Sequence, residues 1–212
     1  IMRKRNASAI RSSAVLASTG DAAPIATGSW SLNFWVKLDA AAAGDKRQIY
    51  FESSSVGNHR GRDLYVDVHG NLVFHTNARS NVDPEVAVTD SWVYNDFLPT
   101  YREKQVNVTL VHSGTFNISS AATLYIDGYK KGWDSFTAGG VTEPLQNFCN
   151  RLFLMNSCSL DAAMIGDDGT SRSASLGQLI ILTGSISKNE VEALYNGAQT
   201  LKSSDFASPG LY

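Results

Sequence analysis

Thr123 to Gly132 reads TLYIDGYKKG. Leu124 and Ile126 point to one side of an extended segment and Tyr125 and Asp127 to the other. Asp127-Gly128 then supplies two residues that tolerate positive φ, as a tight hairpin turn requires. The stretch predicts a β-hairpin, and its neighbours decide for an all-β fold around it.

Upstream, Val106, Val108 and Leu110 alternate with polar residues. Further back, WSLNFWVK at 30–37 places Trp30, Leu32, Phe34 and Val36 on one face of a half-buried strand. Gln48 to Glu52 reads as the next strand. Asp63 to Val68 has Leu64, Val66 and Val68 inward, with Asp63, Tyr65, Asp67 and His69 opposite, and His69-Gly70-Asn71 turns it into Leu72 to Thr76. Downstream, Arg151 to Asn156 and Gln178 to Thr183 read as strands. Ser187-Lys-Asn-Glu190 has the spacing of a capping box, and it predicts a short helix over Lys188 to Tyr195 that ends at Gly197.

Between Asn77 and Lys104 the periodicity disappears and aromatics gather: Trp92, Tyr94, Phe97 and Tyr101, punctuated by Pro84 and Pro99. Long connections without periodicity are the usual carriers of function. If Ser91 to Asn95 is locally extended, Trp92 and Tyr94 face the same way, and they form either a stacking platform or a cover over the core edge.

The chain of 212 residues is 43% hydrophobic, enough for one substantial core. We expect an N-terminal arm over 1–18 and a single domain over 19–212. Its 18 basic and 20 acidic residues leave a formal charge of −2, which gives no field toward nucleic acid or anionic lipid. Apolar runs such as Leu179 to Leu182 are far short of the roughly 20 residues of a membrane-spanning helix. No membrane insertion is expected.

The arm is basic and Ser/Ala-rich, without the apolar core of a signal peptide. Its start at Ile1 suits a processed chain or part of a longer one. Cys149 and Cys158 flank an expected strand whose ends stand roughly 20 Å apart, against the ~7 Å that a disulfide allows, so a bridge is disfavoured. Sequons at Asn6, Asn107 and Asn117 are about as many as composition alone produces.

Four stretches in order, SWSLNFWVK at 29–37, DLYVDVHGNLVF at 63–74, TLYIDGYKKG at 123–132 and LGQLIILTGSISKNEVEALYNGA at 176–198, resemble the concanavalin A-like, laminin G-like jelly rolls that include the pentraxins. The resemblance runs through most of the chain. It implies an antiparallel two-sheet jelly-roll sandwich with one short C-terminal helix, and saccharide binding on a concave face or loop rim. The Glu-x-Asp-x-x-Glu strand of the related β-glucan hydrolases has no match, and the family's calcium ligands find no residue-by-residue counterpart. The fold analogy transfers and the site analogy does not.

Asp63 and Asp67 share a strand face at roughly 13 Å, beyond the ~6.5–9.5 Å of inverting glycosidases, so they read as solvated carboxylates. Asp161, Asp167, Asp168 and Gly169 offer oxygen ligands suited to calcium but lack the alternating acidic spacing of a binding loop. Asp167 and Asp168 are the candidate calcium ligands within what otherwise reads as a polar loop. His59, His69, His75 and His112 form no zinc pattern. The candidate ligand contacts are Trp92 and Tyr94, with Tyr65, Asp67 and His75 nearby.

The sequence thus favours a non-enzymatic laminin G-like module that recognises a glycan or glycoprotein outside the cell, on a cell surface or on a virion or other particle. Its alternative is a structural coat, fibre or decoration subunit whose arm reaches a neighbouring subunit. A glycoside hydrolase ranks third.

Overall fold

The computed structural model describes residues 15–18, 28–38, 47–53, 60–79, 87–140, 151–154 and 174–200. Among them the chain forms strands β1 (Val15–Ser18), β2 (Trp30–Leu38), β3 (Arg47–Ser53), β4 (Arg60–Val66), β5 (Leu72–Arg79) and β6 (Ala87–Tyr94). Helix α1 (Phe97–Tyr101) and strands β7 (Gln105–His112), β8 (Ala122–Ile126), β9 (Tyr129–Lys131) and β10 (Ser135–Thr137) follow. Strands β11 (Arg151–Leu154) and β12 (Ala174–Thr183) and helix α2 (Lys188–Thr200) complete the order. One sheet runs β1-β11-β3-β4-β5-β6-β10 and the other β12-β2-β7-β8-β9. Every pairing is antiparallel. The alternation predicts the all-β class, and the two antiparallel sheets form the sandwich that the family resemblance implies.

The hairpin forms as read. Asp127 and Gly128 take φ of 52° and 80°, the paired positive values of a type I′ turn, and Ile126 stands opposite Tyr129. The turn is tied inward because the Asn107 amide donates to Asp127 Oδ1 at 2.8 Å. A Cβ on Gly128 would stand 3.1 Å from Tyr195 Cδ1, so glycine here serves both the turn and the seating of α2.

The alternating faces meet between the sheets. Trp30, Leu32, Phe34 and Val36 of β2 and Val106, Val108 and Leu110 of β7 are buried against Leu64, Val66, Leu72, Phe74 and Trp92 of the facing sheet. Trp30 meets Phe74 edge-on at 5.7 Å and Phe74 stacks on Trp92 at 5.3 Å, within the spacing that aromatic pairs prefer. The other face of β2 and β7 is polar. There Asn33 Nδ2 donates to Asn107 Oδ1 at 2.9 Å and to Thr109 Oγ1 at 2.6 Å, which satisfies groups that would be costly to bury alone. Helix α2 closes over this side. Val191 joins Val111 and Tyr125, and Tyr195 stacks on Trp35 at 5.7 Å.

The cap of α2 is reciprocal: the Ser187 amide donates to Glu190 Oε2 at 2.7 Å and the Glu190 amide to Ser187 Oγ at 3.4 Å. These bonds to Ser187 hold the exposed Glu190 carboxyl below its usual range. The helix runs past the expected stop at Gly197 to Thr200. A single helical glycine costs only about 1 kcal/mol relative to alanine, and the alanine and glutamine after it are good helix formers.

Two further departures concern the sheet. The segment read as aperiodic holds β6 and the five-residue α1. Its alternation was disguised by Asp90, a carboxylate buried on the core side where it accepts from the Asn117 amide at 2.6 Å and the Gly139 amide at 2.8 Å. Strand β4 stops at Val66, so Val68 is 47% exposed rather than inward. Residues 15–18 form β1, paired with β11, where the sequence offers a short strand over Ala14 to Leu16. Residues 1–14, Cys149 and Cys158 lie outside the described residues. No helix among the described residues is long and apolar enough to cross a membrane.

Candidate functional site

The five expected ligand contacts do not converge. Trp92 is fully buried, and its Nε1 donates to the Ser119 carbonyl at 2.8 Å. It stacks within the core and offers no face to a ligand, a correction to the platform reading. The reason lies in β6: Trp92 sits on the face shared with Asp90, directly opposite Phe74, and so points between the sheets.

Asp67 is likewise committed, not to a ligand but to its own turn. Its Oδ1 accepts from the amides of His69 at 2.8 Å and Asn71 at 2.9 Å, and Oδ2 accepts from Asn71 Nδ2 at 3.0 Å. This is the Asx geometry that stabilises loops locally. Tyr65 and His75 do come together on the outer side of β4 and β5, with Tyr65 Oη and His75 Nε2 3.3 Å apart. Burial pushes the Tyr65 phenol well above its ordinary pKa, and the charges of Asp63 and Asp67 add to this. Tyr94 belongs elsewhere.

Tyr94 stands at the edge where the last strands of the two sheets meet. Strand β6 ends there, α1 follows, and residues 132–134 carry the chain from β9 across to β10. The Asp134 amide donates to the Val93 carbonyl at 2.8 Å, and Asp134 Oδ2 accepts from the Asn95 amide at 2.7 Å. These bonds fix the crossing segment against β6. Tyr94, Tyr101 and Trp133 are half-buried on the core's margin. Trp133 spends its Nε1 on the Ala122 carbonyl at 2.9 Å, which leaves only ring surface for contact. Burial raises the pKa of the Tyr94 phenol, followed by a hydrogen bond shared with Tyr101, while the Lys131 charge opposes and the Asp134 charge reinforces the shift.

Tyr129 completes the edge. It is 72% exposed, more than any other large apolar side chain among the described residues. It opposes Ile126 while Lys131 opposes Leu124, so both project from the core-facing side of β9, past the border of the sandwich. Four rings, three of them phenols, with a cation and a carboxylate, are thus presented along the end of β6, α1, β9 and the segment that joins β9 to β10. Sequence reasoning passed over Tyr129, Lys131, Trp133 and Asp134. The available signal was the alternation of TLYIDGYKK, which puts Tyr129 and Lys131 on the same side as Leu124 and Ile126.

No family model matches the sequence, and no curated protein matches it either. Solved structures do. The receptor binding domain of botulinum neurotoxin mosaic serotype C/D superposes with a TM-score of 0.56 at 14% identity, over 80% of this chain and 36% of that one. The binding domain of Paraclostridial Mosquitocidal Protein 1 gives 0.55 at 16% identity, over 82% and 38%. The botulinum neurotoxin serotype D ligand binding domain, in complex with N-acetylneuraminic acid, gives 0.56 at 14%, over 84% and 38%. The likeness establishes the fold. This chain spans less than two-fifths of the length of each of these three, and at such identities no site transfers.

The candidate calcium ligands Asp167 and Asp168, with Asp161 of the same polar stretch, lie outside the described residues. Among the described residues no three His, Cys, Asp or Glu side chains gather closely enough to hold a metal ion.

Proposed function

We propose that the chain is a non-enzymatic, laminin G-like binding module that takes a glycan, free or on a glycoprotein, at the outer surface of a cell or particle. Tyr94, Tyr101, Tyr129 and Trp133 form the contact, with Lys131 and Asp134 beside them. The single observation that carries the reading is Tyr129. A tyrosine 72% exposed on a short edge strand contributes little to its own fold, yet it offers an aromatic face with only two torsions to immobilise. Sugars present flat C–H faces for stacking and hydroxyls for hydrogen bonding, and the edge supplies rings with both donors and acceptors around them. The neurotoxin domains of the same fold support a binding role for the sandwich, including one crystallised with N-acetylneuraminic acid.

The test is a glycan array probed with the wild-type chain and with Tyr129→Ala. Specific signals that vanish in the variant, on an intact fold, support the reading. An array that stays blank, or signals indifferent to the substitution, would count against it.

A further inference from the structure

We infer that the edge selects a neutral saccharide, read by stacking and directional hydrogen bonds, over one carrying a carboxylate or sulfate; the inference rests on the glycan reading above. Segments 94–104 and 127–137, which build the edge, carry four basic and four acidic side chains. They cancel. With a Debye length of about 8 Å at physiological salt, an edge without net charge exerts no steering on an anionic ligand.

The Lys131 cation on the core-facing side of β9 is also answered locally. Lys131 ends β9 and Asp134 follows three residues on, bonded to the Asn95 amide next to Tyr94, so an anion drawn to the Lys131 ammonium meets the Asp134 carboxylate as well. That carboxylate cannot swing away freely, because its Oδ2 holds the Asn95 amide at 2.7 Å and its own amide is held by the Val93 carbonyl at 2.8 Å. A like charge placed against a fixed carboxylate is disfavoured, which discriminates against acidic sugars.

Hydroxyls suit the same groups. A sugar O–H can donate to Asp134 while its oxygen accepts from Lys131 or a phenol, whereas a carboxylate or sulfate only accepts and leaves Asp134 unanswered. Charge-assisted hydrogen bonds of this kind are about twice as strong as neutral ones. Tyr129 and the ring of Trp133 provide the apolar surface.

The experiment is an array of matched neutral, sialylated and sulfated glycans, read at about 20 and about 300 mM NaCl, a range over which charge-read binding weakens strongly. The expected result is retention of neutral forms with signals constant within about twofold across salt. Asp134→Asn should lower the neutral signals and raise the sialylated ones several-fold. Preference of the wild type for sialylated or sulfated forms, a steep loss of signal with salt, or an unchanged preference in Asp134→Asn each overturns the inference while leaving glycan binding standing. A blank array instead removes the glycan reading beneath it, and the inference with it.

Discussion

Acidification should destabilise this sandwich through one histidine. His112 is buried between the sheets, stacked on Trp30 with ring centroids 5.4 Å apart and planes 10° from parallel, with Phe74 and Trp92 at its edges. Its Nδ1 accepts the Gly114 amide at 3.0 Å, which places the neutral ring's proton on Nε2. Burial, assisted by the positive charge of Arg62, lowers its pKa from 6.5 to about 4. As pH falls below 6.5 the unfolded chain takes up a proton that the folded chain refuses, so stability drops until about pH 4, where both forms carry it. At about 1.4 kcal/mol per unit, the total loss over that window is about 3 kcal/mol. Urea denaturation of the wild type and of His112→Phe at pH 7.5, 5.5 and 4 measures it. The phenyl ring keeps the stacking but deprives the Gly114 amide of its acceptor, a cost of about 1–3 kcal/mol present at every pH. Other groups titrate equally in both proteins, so the diagnostic quantity is the difference in their pH dependence. The wild type should lose about 3 kcal/mol more than the variant between pH 7.5 and 4. Parallel stability profiles would refute the placement of a neutral, desolvated His112 in the core.

Trp92→Ala should cost about 3–5 kcal/mol, the range for deleting a buried aromatic, read as a lower urea midpoint. A near-wild-type midpoint would restore Trp92 as a surface platform. Tyr129→Ala should leave stability within about 0.5 kcal/mol, as surface changes do. Replacing Asp127 and Gly128 together by Val should impair folding because β-branched residues resist positive φ; retained wild-type stability would remove the tight turn from the account. Ser187→Ala should cost about 1 kcal/mol through loss of the cap of α2, visible in thermal unfolding, and an unchanged melting temperature would deny the cap any contribution.

The strands with one apolar face were legible because burial enforces a period of two: β2, β7 and the β8–β9 hairpin follow their alternation residue by residue. Strand β6 was not, since Asp90 stands on its core side and is satisfied by amides from Asn117 and Gly139, partners far away in sequence. Trp92 and Tyr94 illustrate the limit further. Their two-residue spacing placed them on one face, yet nothing local says whether that face meets solvent or Phe74; only pairing with β5 settles it. Asp67 looked available for ligand because a strand to Val68 was expected, whereas the chain turns after Val66 and consumes its carboxylate. The proposed edge was hidden for a related reason. Tyr129 and Lys131 share the core-facing side with Leu124 and Ile126, and their emergence into solvent depends on β9 being the outermost strand of its sheet.

The central claim is that ligand is held at the β6–β9 edge, and amide chemical-shift mapping tests it most directly. The chain labelled with nitrogen-15 would be titrated with the strongest neutral glycan from the array while proton–nitrogen spectra are recorded. Saturable shifts concentrated at residues 94–101 and 129–134, absent in Tyr129→Ala, are the predicted result. Shifts centred on Tyr65 and His75, or on the residues beneath α2, with the edge unmoved, would contradict the account.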